Sequence, residues 1–304
     1  MKVLRVADPG MLTTIQDLGR PGHRAAGIAP GGAFDEFALR AANLLCGNDE
    51  GAAALEITLR GPKLEALADT VVAVAGADLS ATANGRPLPM WRPVSLRRGT
   101  VVAFGKRVAG CRAYLAVGGG IEAPAFLGSR STDVRCALGP PRLVPGTVVS
   151  AGRPRRPRAA EVSARAVAVY ANLPELRVVP GPDKEWFPPE AFEKLLVTDW
   201  RLRSASDRSG LRLTGGIVPR RPGELPSEPV AFGHVQVPPD GEPIVLGPEC
   251  QSVGGYPRIG CVITADRPRL SQIAPGDPIR FAVITPDEAR WLWAGQHALL
   301  DILR

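Results

Sequence analysis

Residues 233–257 read GHVQVPPDGEPIVLGPECQSVGGYP, and the reading of this stretch decides the fold. A glutamine precedes a Pro-Pro-Asp-Gly turn, a short apolar run follows, and a second polar turn ends in Gly-Gly-Tyr-Pro. Proline fixes φ and glycine admits positive φ, so both turns hold a defined backbone shape. An apolar strand with a shaped polar loop at each end reads as β structure and as the rim of a binding cleft. Ordinary hairpin turns are the plainer alternative, and turn chemistry alone favours them.

Working outward, the same style recurs. Short apolar runs bounded by glycine or proline at 54–59, 71–75, 100–104 and 112–117 predict strands, and Asn84-Gly85 predicts a two-residue hairpin. Residues 176–179, 196–203, 211–213, 243–247, 259–264 and 279–284 predict further strands. Apolar residues at 37, 38, 41, 44 and 45 have helical spacing, with Asp35 near the start and Gly47-Asn48 as the stop. Residues 286–303 predict a terminal helix opened by Pro286, with Trp291, Trp293, Leu299 and Leu303 as its docking contacts. Arg153–Arg158 (RPRRPR) reads as a solvated linker. The expectation is therefore a mainly β chain with a few helices: an N-terminal β-rich domain at 1–160 and a β-barrel domain with a terminal helix at 161–304.

Composition removes several classes of function. The chain has 304 residues, of which 31 are proline and 34 glycine, a share that suits many strands joined by turns. Its net charge of +7 comes with 5% aromatic residues, too few for base stacking along a basic face. Five separated cysteines without a C-x-x-C pair argue against a disulfide framework or a zinc site. No apolar run is long enough for a membrane span and no signal-peptide core is present, so a cytoplasmic protein is expected.

Candidate chemistry lies in a few polar turns. Residues 13–20 (TTIQDLGR) bring an amide, a carboxylate and a guanidinium together in Gln16, Asp17 and Arg20. Gly31 and Gly32 precede the first helix, a place suited to an anion. Gly118-Gly119-Gly120 follows a clean strand but lacks dinucleotide-fingerprint spacing. Residues 128–132 (GSRST) offer hydroxyls beside it, and Ser206, Asp207 and Arg208 form another turn. His234 reads as structural sooner than catalytic. Cys250 would need a depressed pKa to serve as a nucleophile. For each loop, a turn held by its own hydrogen bonds is the alternative.

The motifs TTIQDLGR, PGGAFDEFALRAANLLCGN, AALEITLRGP, LAVGGGI, LGSRST, SDRSGLRL, VQVPPDGEPIVL and GGYPRIG occur in the order seen in the KipA family. The resemblance runs over about 3–285. That family includes the C-type subunit of bacterial 5-oxoprolinase and is similar to part of the carboxyltransferase region of urea carboxylase. It implies cyclophilin-like β-barrel architecture, a KipI-like B-type partner, a LamB/YcsF-like A-type partner, and ATP-dependent opening of 5-oxoproline to glutamate. The chain departs from the family at 249–253, where Glu-Cys-Gln-Ser-Val replaces Asp-Arg-Gln-Thr-Thr, and at His234, where many members have serine. Losing that arginine removes a bidentate anion fork. Two alternatives stay open: a biotin-dependent carboxyltransferase component acting on urea or a related amide, with biotin carried by another chain, and a non-catalytic antagonist of a KipI-like partner.

Opening a lactam with ATP needs cations and amide donors for phosphate, and groups that orient the substrate carboxylate. On that chemistry Arg208, Gln236, Gln251 and Tyr256 are expected to line one cleft. Arg208 would bind carboxylate or phosphate, the glutamines would hold the amide, and Tyr256 would pack on the ring. Pro239, Asp240, Gly254 and Gly255 would shape the cleft, with Gln16, Asp17, Arg20, Gly31 and Gly32 at its edge or at a partner interface. No metal is expected.

Overall fold

The structure, a computed structural model, describes residues 1–155, 157, 162, 167, 170, 175–223 and 225–301. The chain divides into two compact units. One comprises 1–20, 31–171 and 297–304, the other 21–30 and 172–296. The boundary expected at 160/161 lies outside the described residues, as do Arg156, Arg158 and Leu303.

The first unit is built on two antiparallel sheets. One runs in the order 121–122, 148–151, 2–8, 63–66, 101–103, 82–83, 86–87, and the other 12–16, 54–58, 109–117, 70–78, 94–96. Side chains alternate across a strand, and this alternation sorts the core. Leu55, Ile57, Val72, Val74, Leu115 and Val117 join Val3, Leu4, Val6, Leu64 and Val102 of the other sheet in one cluster. Their neighbours Ala54, Ala73, Ala75, Tyr114 and Ala116 turn the other way, toward the helix Glu36–Leu45. Alanines on that face let Phe37, Ala38, Ala41 and Leu45 pack close to the sheet.

The helix begins and ends where its sequence indicates. Asp35 accepts a hydrogen bond from the Ala38 N–H at 2.9 Å, while Gly47, with φ of 73°, turns the chain out. Asn48 then donates to the Val117 carbonyl and accepts from the Gly119 N–H, at 2.9 and 2.8 Å. The glycine triplet is thus a packed turn. A Cβ at Gly119 would stand 2.3 Å from the Gly152 carbonyl oxygen.

The second unit holds a closed barrel in the strand order 175–180, 258–262, 234–236, 244–246, 210–214, 200–202, 278–283. The last strand pairs with the first in parallel, and closure leaves no free edge between them. Alternate residues such as Leu176, Val178, Trp200, Leu202, Leu211, Leu213, Val235, Val245 and Phe281 are buried. The chain is therefore mainly β with a few helices, as its turn-rich sequence indicates.

Two expectations are corrected. The apolar run at 195–197 closes the helix Glu190–Val197, and only Trp200–Leu202 is strand. Ala191 and Leu195, one helical turn apart, are its buried residues, and Glu190 and Glu193 favour its first turn. In the helix Pro286–Asp301, Trp291 and Trp293 are exposed, whereas Leu299 and Leu300 pack into the cluster around the first helix. Asn84 and Gly85, with φ of 49° and 77°, do form the tight turn joining Thr82–Ala83 to Arg86–Pro87.

Candidate functional site

In the first unit, strand 12–16 delivers Gln16, Asp17 and Arg20 to the loop at 129–132. The Asp17 carboxylate accepts from both the Ser129 and the Ser131 hydroxyl at 2.6 Å, from the Arg130 N–H at 2.6 Å and from the Gly19 N–H at 2.8 Å. Its backbone completes the tie: Asp17 N–H donates to Ser131 Oγ at 3.0 Å, and the Asp17 carbonyl accepts from Ala33 N–H at 2.8 Å. Asp17, engaged by four donors, acts as the knot of the loop.

Arg20 and Gln16 lie on consecutive carbonyls of that loop. Arg20 Nη2 donates to the Ser131 carbonyl, and Gln16 Nε2 donates to the Thr132 carbonyl at 2.8 Å and to Thr14 Oγ1 at 3.1 Å. Gly31 and Gly139 flank the guanidinium; a Cβ at either would come within 3.2 or 3.3 Å of its nitrogens. Gly32 is held close to the 18–19 backbone, where a Cβ would be 2.8 Å from the Gly19 nitrogen. Gln16, Asp17, Arg20, Gly31 and Gly32 are thus one cluster in the first unit.

In the second unit, Gln236 and Gln251 meet over Gly254. A Cβ at that glycine would stand 2.9 Å from Gln236 Nε2 and 3.2 Å from Gln251 Nε2. Gln236 is buried and also donates to the Tyr256 carbonyl at 3.1 Å, while the Tyr256 ring is exposed. The Gly255 carbonyl accepts the Leu225 N–H at 3.3 Å. Arg24 reaches this loop as well, donating to the carbonyls of Val230 and of Gln251, the latter at 3.0 Å. Nothing in the local sequence around 24 signals that contact.

Arg208 is placed differently from the expected free anion fork. Its guanidinium is buried against the Glu249 carboxylate at 2.5 Å, and its carbonyl accepts the Glu249 N–H at 3.1 Å. Pro239 and Asp240 form the hairpin turn between two barrel strands: Gly241 N–H donates to the Pro238 carbonyl at 3.0 Å and Glu242 N–H to Asp240 Oδ1 at 3.1 Å. These contacts stay within the turn. Cys250 is fully buried with Val230 and Leu246, and burial pushes its thiol up despite the nearby Arg24, so it is no thiolate nucleophile. Among the described residues, no group of three or more His, Cys, Asp or Glu side chains is gathered for a metal ion.

His234 Nδ1 accepts the Ala231 N–H at 3.3 Å. Burial first, then repulsion by Arg258, holds its pKa below the ordinary value, with Asp183 opposing only in part. The unfolded chain takes up that proton near about pH 6.5 and the folded chain does not. Stability is therefore expected to fall as pH drops through this range and to level off below the folded pKa. His234→Asn, which can still accept from Ala231, should flatten that slope in urea midpoints measured between about pH 8 and pH 5. An unchanged slope would assign it to other groups.

The described helices include none long and apolar enough to cross a membrane. Residues 26–283 match the carboxyltransferase domain, subdomains A and B. This chain belongs to the carboxyltransferase-domain family. It is 39% identical to the C-type subunit of 5-oxoprolinase from Escherichia coli (strain K12) over 292 residues, covering 94% of this chain and 93% of that one. The solved structure of the K. lactis urea amidolyase matches all of this chain at 30% identity with a TM-score of 0.92. The chain spans only 20% of that protein. The structure of TTHA0988 matches 93% of this chain at 39% identity with a TM-score of 0.83, and the chain spans 55% of it. The ordered motifs point to the same family.

Proposed function

We propose that this carboxyltransferase-domain protein is the C-type subunit of an ATP-dependent 5-oxoprolinase, opening 5-oxoproline to glutamate with a KipI-like and a LamB/YcsF-like partner. The observation that carries this reading is the 39% identity with a C-type 5-oxoprolinase subunit over nearly the full length of both chains. ATP supplies the phosphoryl group that makes the lactam carbonyl a better electrophile. The Gln236 and Gln251 amides, meeting over Gly254, hold the substrate amide, and the exposed Tyr256 ring packs on it. Arg208 acts with Glu249 at the base of the 249–253 loop, fixing its course.

The test is glutamate release from 5-oxoproline by the three mixed proteins, with and without ATP. Glutamate that needs both ATP and this chain supports the reading. Gln251→Ala and Arg208→Ala are each expected to lower turnover at least about 100-fold, the scale of removing a positioned polar group. Unchanged turnover in either removes that residue from the site. The likeness to the urea amidolyase structure favours a second reading, transfer of a carboxyl group to an amide from biotin borne by another polypeptide. A complex that forms, releases no glutamate and carboxylates urea when given a biotin-carrier chain supports that one. Tight partner binding without either reaction supports a regulator.

A further inference from the structure

A cavity of about 600 Å³ opens in the first unit between the segments 59–63 and 103–107. Its rim is basic: Arg60, Lys63, Lys106 and Arg107 line it, all exposed, against the single carboxylate of Asp8. Arg60 approaches Asp8 only to 3.5 Å across solvent, a pairing worth little. Arg107 Nε donates to the Gly110 carbonyl at 2.5 Å, which leaves its positive charge in place. Among the described residues, Lys63 and Lys106 have no ion-pair partner. Four cations around one carboxylate leave a local surplus of three positive charges, and a concave wall focuses their field.

The floor is apolar and fixed. Leu59, Pro62 and Phe104 line it, and glycine at 61 admits the aromatic ring, since a Cβ there would stand 2.5 Å from Phe104 Cβ. The Leu59 N–H donates to the Cys111 carbonyl at 2.9 Å, the Arg60 carbonyl accepts from Met11 at 2.7 Å, and the Pro62 carbonyl accepts from Phe104 at 3.1 Å. Leu59 is held at φ of 57°, a backbone state that a bulky residue keeps only where its surroundings enforce it. The N–H groups of Arg60, Gly61 and Lys106 donate to no acceptor among the described residues. Backbone donors thus stand in the same wall as the cations, a combination suited to anions.

We propose that this cavity binds a small organic polyanion with a flat apolar body, of the nucleoside diphosphate class. The phosphates lie among Arg60, Lys63, Lys106 and Arg107, and the base covers Leu59, Pro62 and Phe104. A trianion matches the surplus charge, whereas a monocarboxylate leaves most of it unmet. Inorganic phosphate is too small for the volume and leaves the apolar floor in water. Every lining residue belongs to the first unit. The amide substrate therefore keeps its place on Gln236, Gln251 and Tyr256, and the cavity's role is independent of which reaction the complex performs.

The experiment is calorimetric titration of the full chain, without partners or divalent metal, with ADP, adenosine, pyrophosphate and inorganic phosphate. ADP is expected to bind at least about tenfold more tightly than adenosine or pyrophosphate, each of which carries only half of the recognised chemistry. Lys63→Glu combined with Lys106→Glu should raise the Kd for ADP at least about tenfold. Arg86→Glu, a reversal in the same unit outside the cavity lining, should change it less than about twofold. Should the double reversal fail to fold, Lys63→Gln with Lys106→Gln carries the test, with a rise of about threefold or more expected. Pyrophosphate binding as tightly as ADP would reduce the site to surface charge, and adenosine binding as tightly would remove the phosphates from it. Either result overturns the proposal, as does an equal loss in Arg86→Glu or no binding of ADP up to about 1 mM. Glutamate release by the assembled proteins is a separate readout, so failure of this site leaves the proposed function standing, and ADP binding by a complex that releases no glutamate does the reverse.

Discussion

Asp17→Ala is expected to lower stability by about 3–5 kcal/mol and to abolish turnover of the assembled enzyme. The carboxylate is buried and receives four hydrogen bonds, from Ser129 Oγ, Ser131 Oγ, Arg130 N–H and Gly19 N–H. Alanine would strand all four donors at once. A lost partner costs more than a bond is worth, because each buried donor keeps its desolvation penalty. The consequence reaches Arg20 and Gln16, whose side chains rest on the carbonyls of Ser131 and Thr132 in the same loop. Asp17→Asn is the informative companion. Its amide keeps one acceptor oxygen but turns a donor toward other donors, so a loss of about 1–3 kcal/mol is expected. Urea midpoints of the full chain measure both. A midpoint for Asp17→Ala within experimental error of the parent would show that the loop is held by other means.

The sequence makes the strands legible because their apolar runs are short and punctuated, and it makes the first helix legible because Asp35, the 3.6-residue spacing and Gly47 agree. It misleads at 195–197, where three apolar residues end a helix: periodicity over so short a run does not separate the two periods. Which of the polar motifs come together is visible in the geometry. Gln16, Asp17 and Arg20 are close in sequence and remain together, and the serines of 128–132 come to them through the fold. The roles are less legible. Asp17 is a structural knot and Arg208 a paired cation, because their partners, Ser129, Ser131 and Glu249, are distant in sequence. The same distance hides Arg24, whose contacts lie more than 200 residues away, and the pairing of Asp183 with Arg258.

That last pair is the other place where one substitution should have a large effect. Arg258 opens a barrel strand, and its guanidinium makes two hydrogen bonds of 2.8 Å to the Asp183 carboxylate, whose Oδ2 also accepts the Arg258 N–H at 2.7 Å. The same guanidinium donates to the Pro229 carbonyl at 2.9 Å and to Glu228. Residues 228–229 pair with 253–254, so this arginine ties the barrel to the ribbon that carries Gly254. Arg258→Met leaves the buried Asp183 carboxylate alone and is expected to cost about 3–5 kcal/mol, while Asp183→Ala, which leaves Arg258 only the half-exposed Glu228, is expected to cost about 2–4 kcal/mol. Asp183→Ala combined with Arg258→Met removes both charges, and its loss should fall short of the sum by about 2–3 kcal/mol. Additive losses in that cycle would mean the two groups contribute separately.

The pair also sets a limit at acid pH. Burial works against the Asp183 charge, but hydrogen bonds from the Arg258 side chain and backbone outweigh it and hold the carboxyl below its ordinary range. A group depressed in this way contributes stability that is complete above the unfolded value of about 3.9 and is lost as pH falls through the folded one. Asp183→Asn should therefore be destabilised near neutrality and differ progressively less from the parent below about pH 4. Because the ribbon at 228–229 and 253–254 hangs on the same arginine, Asp183→Asn should also raise the KM of the complex for its amide substrate while the barrel remains folded. A KM equal to the parent's would uncouple the pair from the meeting point of Gln236 and Gln251, leaving it a purely structural clamp.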